Sequence, residues 1–446
     1  MVRNRDANQN TENMKVSVLK KEKRFHQRND ISLKIQQYGE GNAYPQSVRA
    51  IVNASGTGGS CVDIFKKFVN GRGFESKQIA EIMLNSRDNG NDVLNKVSHD
   101  YTMYGGFAIH LNLNANYKYT TISHVPFEHC RFSQADVNGN FDLIALHDDW
   151  AHEFTGVKRW QASDIIFVNM FTTDIDSINE QVNKAGGWSK YKGMILYYSR
   201  LGNKTYPTAF YDSVITDMNT EEGISNVSNR NARNNFMPAG MLVDRVNATD
   251  NPRTGNEEED EYNRMMNGSE KSDIEKNLLE FQGDQNACKI MYVAIEGEAE
   301  EPKFIPFVTQ NFDKYFDVTK KDIVSSIGRR FSQPPILRSE DVGSNFGANA
   351  MKNAYDFYNS VVQVDRDIIS RVFDRLFSNF IVPITESAVI IPLKYDVEIT
   401  KAEELGANTK DVVELIKNKD IDSQTKKGIL SIIYGFSDEH IIKLVP

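Results

Sequence analysis

The chain has 446 residues, 40% hydrophobic and 25% charged, with a formal net charge of −9; this is the balance of a soluble protein with room for roughly two or three core-bearing modules. An acidic balance excludes a protein that coats itself with nucleic acid by bulk attraction and leaves only local contact with phosphate. The cysteines, Cys61, Cys130 and Cys288, lie far apart without CxxC spacing, so neither a zinc ribbon nor a disulfide framework is expected. No apolar run approaches the roughly 18 residues of a spanning helix, and the opening MVRNRDANQNTEN lacks the apolar centre of a signal peptide; synthesis and use in a reducing cytoplasm are expected.

Residues 1–43 are polar and poor in aromatics, a composition that buries too little surface to offset ordering entropy, and are expected to form a flexible arm. From Tyr44 the texture changes. YPQSVRAIVNAS and CVDIFKKFVNG carry apolar residues at helical spacing, with SGTGGSC (Ser55–Cys61) expected as a loop between them and Gly71 and Gly73 as the stop. Further helices are expected around Ile79–Leu84 and Val93–Tyr104. GGFAIHLNLN alternates as a half-buried strand does, and TTISHVPFEHCRF, FDLIALH, DIIFVNMF and KGMILYYSRLG have strand length.

YPTAFYDSVITDMNTEEGISNVSNRNARNNF then offers helical spacing at Phe210, Val214, Met218, Ile224 and Val227. It is polar enough to need neighbours, since Asn and Ser compete for backbone hydrogen bonds. After the strand-like AGMLVDRV, Pro, Gly and the acidic run EEEDE mark a solvated insertion. Ser272 and Glu275 make a capping box for SDIEKNLLEFQGD, and the strand CKIMYVAI follows. A second long helix covers Gln310–Phe331, with Phe312, Phe316, Ile323, Ile327 and Phe331 on one face. Pro334 and Pro335 forbid its continuation. Met351–Phe380 is helical again, AVIIPLKYDVEI is strand-like, and two short helices meet at a polar turn around Asp422. The fold class is α+β.

Candidate chemistry is sparse. SGTGGSC lacks the Lys-Ser/Thr ending of a phosphate-binding loop. His147, Asp148, Asp149, His152 and Glu153 crowd seven residues of HDDWAHE without HExxH spacing; a metal-dependent hydrolase built on His147, Asp148 and His152 is the enzyme alternative. His124, His129 and Cys130 are expected as satisfied structural groups. No GxSxG, Cys/His pair or carboxylate dyad has a convincing context, and no cofactor, metal or catalytic residue is expected. A DNA-binding regulator is disfavoured by the acidic balance and the lack of a helix-turn-helix.

The order of these pieces resembles the portal proteins of tailed bacteriophages, from about Tyr44 to Phe436. DYTMYGGFAIHLNLN with HVPFEHCRF, SDIIFVNMF, YPTAFYDSVITDM with NNFMPAGMLV, DIEKNLLEFQGDQNACKIMYVAI and DIVSSIGRRFSQPPIL are similar in order and spacing to the family's wing, first stem, clip and second-stem segments. Asn169 stands where the family often has His, and Gln333 where it usually has Val. The resemblance implies a wing at 44–205, a first stem helix at 206–236, a β-α-β clip at 237–306 with an atypical acidic insertion at 247–270, and a second stem helix at 307–331. A tunnel loop at 332–350, a helix and strand at 351–400 and a helical crown at 401–446 complete it.

It further implies a closed homo-oligomeric ring, usually dodecameric, at one capsid vertex of a virion assembled in the bacterial cytoplasm. Double-stranded DNA would be packaged and ejected through it. Large terminase and head-tail adaptor would dock on the clip, capsid and scaffold proteins on the wing, and no membrane is involved. Channel residues would be Arg338, Ser339, Glu340, Asp341, Ser344, Asn345 and Lys352, with Pro334 and Pro335 as the helix stop. Arg338 and Lys352 are the candidates for transient phosphate contact, and another head or tail connector subunit is the structural alternative.

Overall fold

The computed structural model describes residues 29–136, 139–151, 162–200, 205–233, 240–246, 290–296, 300–306, 312–338, 348–395, 409–418, 420–432, 434, 436, 441–442 and 444–445. The fold is α+β. Asn29–Asp30 (β1) and Ile35–Gln36 (β2) pair as a short hairpin, followed by Tyr44–Ala54 (α1) and Gly56–Asn70 (α2). SGTGGSC is therefore not the expected loop: it is the first turn of α2, capped by Ser55, whose Oγ accepts from the Gly58 amide at 2.8 Å. A Cβ on Gly58 would stand 2.8 Å from Met218 Sδ. Glycine disfavours a helix by about 1 kcal/mol, but here its missing side chain lets another helix approach.

Lys77–Glu81 (α3) starts from the Ser76 cap. Gly90–Tyr104 (α4) starts from a capping box of Asn89 and Asp92 and ends at the left-handed Gly105. Then come Gly106–Leu113 (β3), Tyr119–Val125 (β4), Cys130–Phe132 (β5), Leu143–Leu146 (β6) and Ile166–Met170 (β7). Ile175–Ala185 (α5) and Met194–Ser199 (β8) complete the body. The sheet runs β4-β3-β8-β7-β6-β5. Its one parallel pair, β7 with β8, is the one joined across a helix, α5, as a crossover requires.

A second unit lies between two long helices, Ile215–Arg233 (α6) and Phe312–Arg330 (α7). It is a three-stranded sheet in which Gly240–Val246 (β9) is central, parallel to Ile290–Glu296 (β10) and antiparallel to Glu300–Pro306 (β11). The helix expected at Ser272–Gly283 and the EEEDE insertion lie outside the described residues. Ala348–Phe377 (α8), Thr409–Lys417 (α9) and Ser423–Ile432 (α10) follow. Asp422 caps α10 by accepting from the Gln424 and Thr425 amides at 3.1 and 3.0 Å, which makes the polar turn between α9 and α10 a helix start.

One continuous core joins α2, α4, β3 and α8 through Phe65, Phe68, Val97, Tyr101, Phe107, Ile109, Tyr358, Val362, Ile369 and Phe373. Two expected elements differ. The first long helix begins at Ile215 rather than Tyr206. Tyr206 donates to Gln36 O at 2.6 Å and Tyr211 to Met103 O at 2.7 Å, and with Pro207 between them these anchors hold an irregular turn. The described part of AVIIPLKYDVEI is not a sheet strand. It lies extended against the turn after α2, with Arg72 N donating to Ile391 O and Ile391 N to Gly73 O at 2.8 and 2.9 Å. At Gly71, φ is 55° and a Cβ would sit 2.1 Å from Ile391 O, so only glycine fits.

Candidate functional site

The functional region suggested by the sequence is where α6 and α7 meet the body and where the chain turns at Pro334-Pro335 toward α8. Apolar residues at α7 spacing, Ile323, Ile327 and Phe331, are buried, and Ile215 and Met218 of α6 meet them in the same core. The root is aromatic. Phe331 stacks on Tyr211 at 5.2 Å between ring centres and meets Phe210 edge-on at 5.0 Å, while Phe210 also packs on Phe65 at 4.9 Å. Each such pair adds about 0.5–1.5 kcal/mol beyond area burial.

Polar contacts fix the helices at the same level. Ser326 Oγ of α7 donates to Asp217 Oδ2 of α6 at 2.7 Å. The Arg330 guanidinium donates through Nε to Phe210 O at 2.7 Å and lies over the Phe210 ring. Glu221 of α6 reaches the N-terminus of α2. Its carboxylate accepts from the Thr57 hydroxyl at 2.7 Å, from the Thr57 amide at 3.2 Å and from the Ser55 hydroxyl. An anion at a helix start satisfies orphan amides and the helix dipole together. The glycine-rich segment that invited a phosphate reading thus already holds a carboxylate of its own chain.

The Pro-Pro junction is strapped down rather than hanging free. Ser332 takes a positive φ of 53°, and the Gln333 amide donates to Gly328 O at 3.3 Å. The buried Gln333 side chain donates from Nε2 to Cys61 O at 2.7 Å and to the Tyr358 hydroxyl at 3.0 Å, tying the turn to α2 and α8 at once. A valine could not do this. Pro335–Arg338 forms a single 3-10 turn with Ile336 buried. Arg338 folds back on α7: it donates from Nη1 to Val324 O at 3.2 Å and fills the space a side chain on Gly328 would need, since a Cβ there would meet Nη1 at 1.1 Å.

Of the channel residues suggested by the sequence, Pro334, Pro335 and Arg338 belong to this packed turn. The expected loop at 332–350 therefore begins no earlier than residue 339. Lys352 is half-buried in the first turns of α8, which starts at Ala348. Ser339, Glu340, Asp341, Ser344 and Asn345 lie outside the described residues.

The other chemical candidates are structural. His147 Nδ1 accepts from the Asp149 amide at 2.9 Å, His152 and Glu153 lie outside the described residues, and among the described residues no three potential ligands gather for a metal. His124 Nε2 bonds Asp100 Oδ2 at 2.7 Å, and the same oxygen accepts from the Phe127 amide at 2.9 Å. Burial pushes the Cys130 thiol up and holds His129 below its ordinary value. Sequence reasoning missed Arg131. Fully buried, it donates to Asn42 Oδ1 and O, both at 2.6 Å, and to Glu128 O and Cys130 O at 2.9 and 2.8 Å. Its plane lies over Tyr38 and Trp150. Arginine's fork suits such a many-armed clamp, and here it fastens the segment before α1 to the sheet.

No family model matches the sequence, and no curated protein matches it. Among solved structures the chain is similar to a chain of the neck of a native GTA particle computed with C12 symmetry. That match has a TM-score of 0.41 and 12% identity over 87% of this chain and 94% of that one. The virion of a native gene transfer agent particle gives 0.40 and 12% over 86% and 93%. An HK97-family phage portal protein from Corynebacterium diphtheriae gives 0.32 and 11% over 70% and 85%. The neighbours are particle-neck chains and a phage portal. Identities and scores this low leave the function to be argued from the residues themselves. Among the described residues no helix is long and apolar enough to cross a membrane.

Proposed function

We propose that the chain is a portal or head-tail connector subunit that assembles into a ring around an axial channel for double-stranded DNA. The observation that carries this reading is the uneven burial of the α6/α7 pair. Its root is packed and cross-braced, yet Asp317–Asp322 of α7 is exposed on every side, and α6 beyond Met218 has no fully buried position up to Asn229. Polar helices of this kind are stable when neighbours cover them, and a head-to-tail contact repeated about an axis supplies neighbours and a hole together.

In this reading α6 and α7 are the two stems and β9–β11 belong to the clip, where terminase and then a head-tail adaptor would dock. The body is the wing, set against capsid and scaffold proteins, and the ring is a dodecamer at one virion vertex. Residues 339–347 are the part that enters the channel. They carry Glu340 and Asp341 and no Lys or Arg, which suits sliding, because each phosphate neutralised would add salt-dependent grip. Arg338 braces the loop from the α7 side; Lys352, at the other end, is the remaining candidate for transient phosphate contact.

Two measurements test this. The native mass and symmetry of the purified particle should give a closed ring with a central channel; a monomer under all assembly conditions would sink the proposal. Replacing residues 339–347 with a short Gly/Ser linker should leave ring assembly intact and impair packaging or DNA retention. Unaltered packaging by such rings would remove the loop assignment while leaving the ring.

A further inference from the structure

Helix α8 carries two apolar seams, and the chain uses one of them. Tyr358, Val362, Ile369, Phe373 and Leu376 are buried against α2 and the body. One residue earlier along the helix, a second row repeats the pattern at Phe357, Val361, Val364 and Ile368, with spacings of 4, 3 and 4 residues, the a/d register of a helix that receives another helix. Phe357 is 55% exposed, Val361 39% and Val364 63%. Val389, 46% exposed, continues the patch across a shallow groove of about 450 Å³ between Val364 and the 389–390 segment. Isolated exposed valines need no explanation, but a heptad-spaced row on one face does.

We infer that this second seam is where a neighbouring copy of the chain docks, through the bare half of its α7. This rests on the ring reading above and says which surfaces close the ring. The flank of the seam carries exposed Asp356 and Asp367, which opposes phosphate and excludes a DNA-lining role. The bare half of α7 offers what the seam lacks: Val318, 61% exposed, with exposed Lys320 and Lys321 beside it. An apolar row with acidic flanks on one helix and an uncovered basic stretch on another, both in the same chain, describe a heterologous contact. A two-fold pairing of α8 with α8 is disfavoured. Antiparallel packing centred between Val361 and Val364 sets like flank against like flank and brings Asp356 beside Asp367 of the other copy.

The full-length chain is measured by native mass spectrometry and light scattering, alongside three variants. Val361→Glu/Val364→Glu should abolish the ring while keeping the parent's circular dichroism and melting temperature. Lys320→Glu/Lys321→Glu should raise the subunit concentration needed for assembly at least tenfold at low salt. Adding Asp356→Lys/Asp367→Lys to the latter should restore assembly. Rings of parental mass and stability from the seam variant overturn the docking assignment while the ring reading stands. A parent chain that never forms a ring overturns both. If the seam variant misfolds, the lysine variants decide, because Lys320 and Lys321 are exposed: unchanged assembly in Lys320→Glu/Lys321→Glu, or no rescue by the aspartate swap, rejects the contact.

Discussion

The two ends of the α6/α7 pair are built from similar sequence and meet opposite environments. Near the body, Phe331 sits in a ring of aromatics, Ser326 bonds Asp217, and Glu221 is clasped by α2. A few turns away along the same helix, Val318 and its neighbours touch little. The difference teaches that the pair is anchored as a lever is: stability of the single chain is concentrated at the root, and the far half contributes to it only once something else packs there.

The largest expected effect breaks this contrast at the root. Phe331→Ala removes a buried ring from contact with Tyr211, Phe210 and Phe65 and should cost about 3–5 kcal/mol, read as a shift of the chemical-denaturation midpoint of the unassembled chain. Val318→Ala should change the same midpoint by no more than about 0.5 kcal/mol. Equal losses at the two positions would show that the far half is packed within the chain after all.

A smaller effect sharpens the polar part of the anchor. Glu221→Ala leaves the Thr57 amide and the Ser55 and Thr57 hydroxyls without their acceptor and should cost about 1–2 kcal/mol, within the range for hydrogen bonds to a charged group. Glu221→Gln keeps an acceptor without the charge and should cost less. Limited proteolysis should report earlier cleavage in α6 for the alanine variant; a cleavage pattern like the parent's would mean the carboxylate does not hold the helix.

Local chemistry made much of this fold legible. The alternation in GGFAIHLNLN and the strand-length runs through DIIFVNMF and KGMILYYSR correspond to β3, β7 and β8, and the spacing of Ile323, Ile327 and Phe331 marks the buried face of α7. The stop at Pro334-Pro335 follows from a rule about single residues. Hidden were the contacts that span the chain: Glu221 reaches Ser55 across 166 positions, and nothing in TEEGIS announces a cap for a distant helix. Arg131 looked like a solvated charge in HCRF, because a buried cation satisfied by carbonyls has no sequence signature. The glycines of SGTGGSC suggested a loop, since their use as a close-packing surface for Met218 depends on a partner that local spacing does not name. At the candidate site the turn was visible and its bracing was not: Arg338 lying on Gly328 and Gln333 bridging α2 to α8 are both tertiary.

The smallest effect concerns pH and again separates the two ends. Burial holds His99 and His129 of the body below the ordinary histidine value of 6.5, because desolvation penalises the charged ring. The folded chain therefore binds fewer protons than the unfolded chain as pH drops through the ordinary value. By linkage these groups contribute stability that is fully present above about 6.5 and declines as pH falls below it toward their depressed folded values. The denaturation midpoint should fall between pH 7 and pH 5, and the fall should shrink in His99→Gln/His129→Gln. Because both histidines lie in the body, acid should loosen the root without acting directly on the bare half of α7. In hydrogen exchange at pH 5, corrected for the intrinsic pH dependence, amides of α4 and β5 should lose protection first; a loss beginning at Asp317–Asp322 instead would place the acid-sensitive element at the wrong end of the lever.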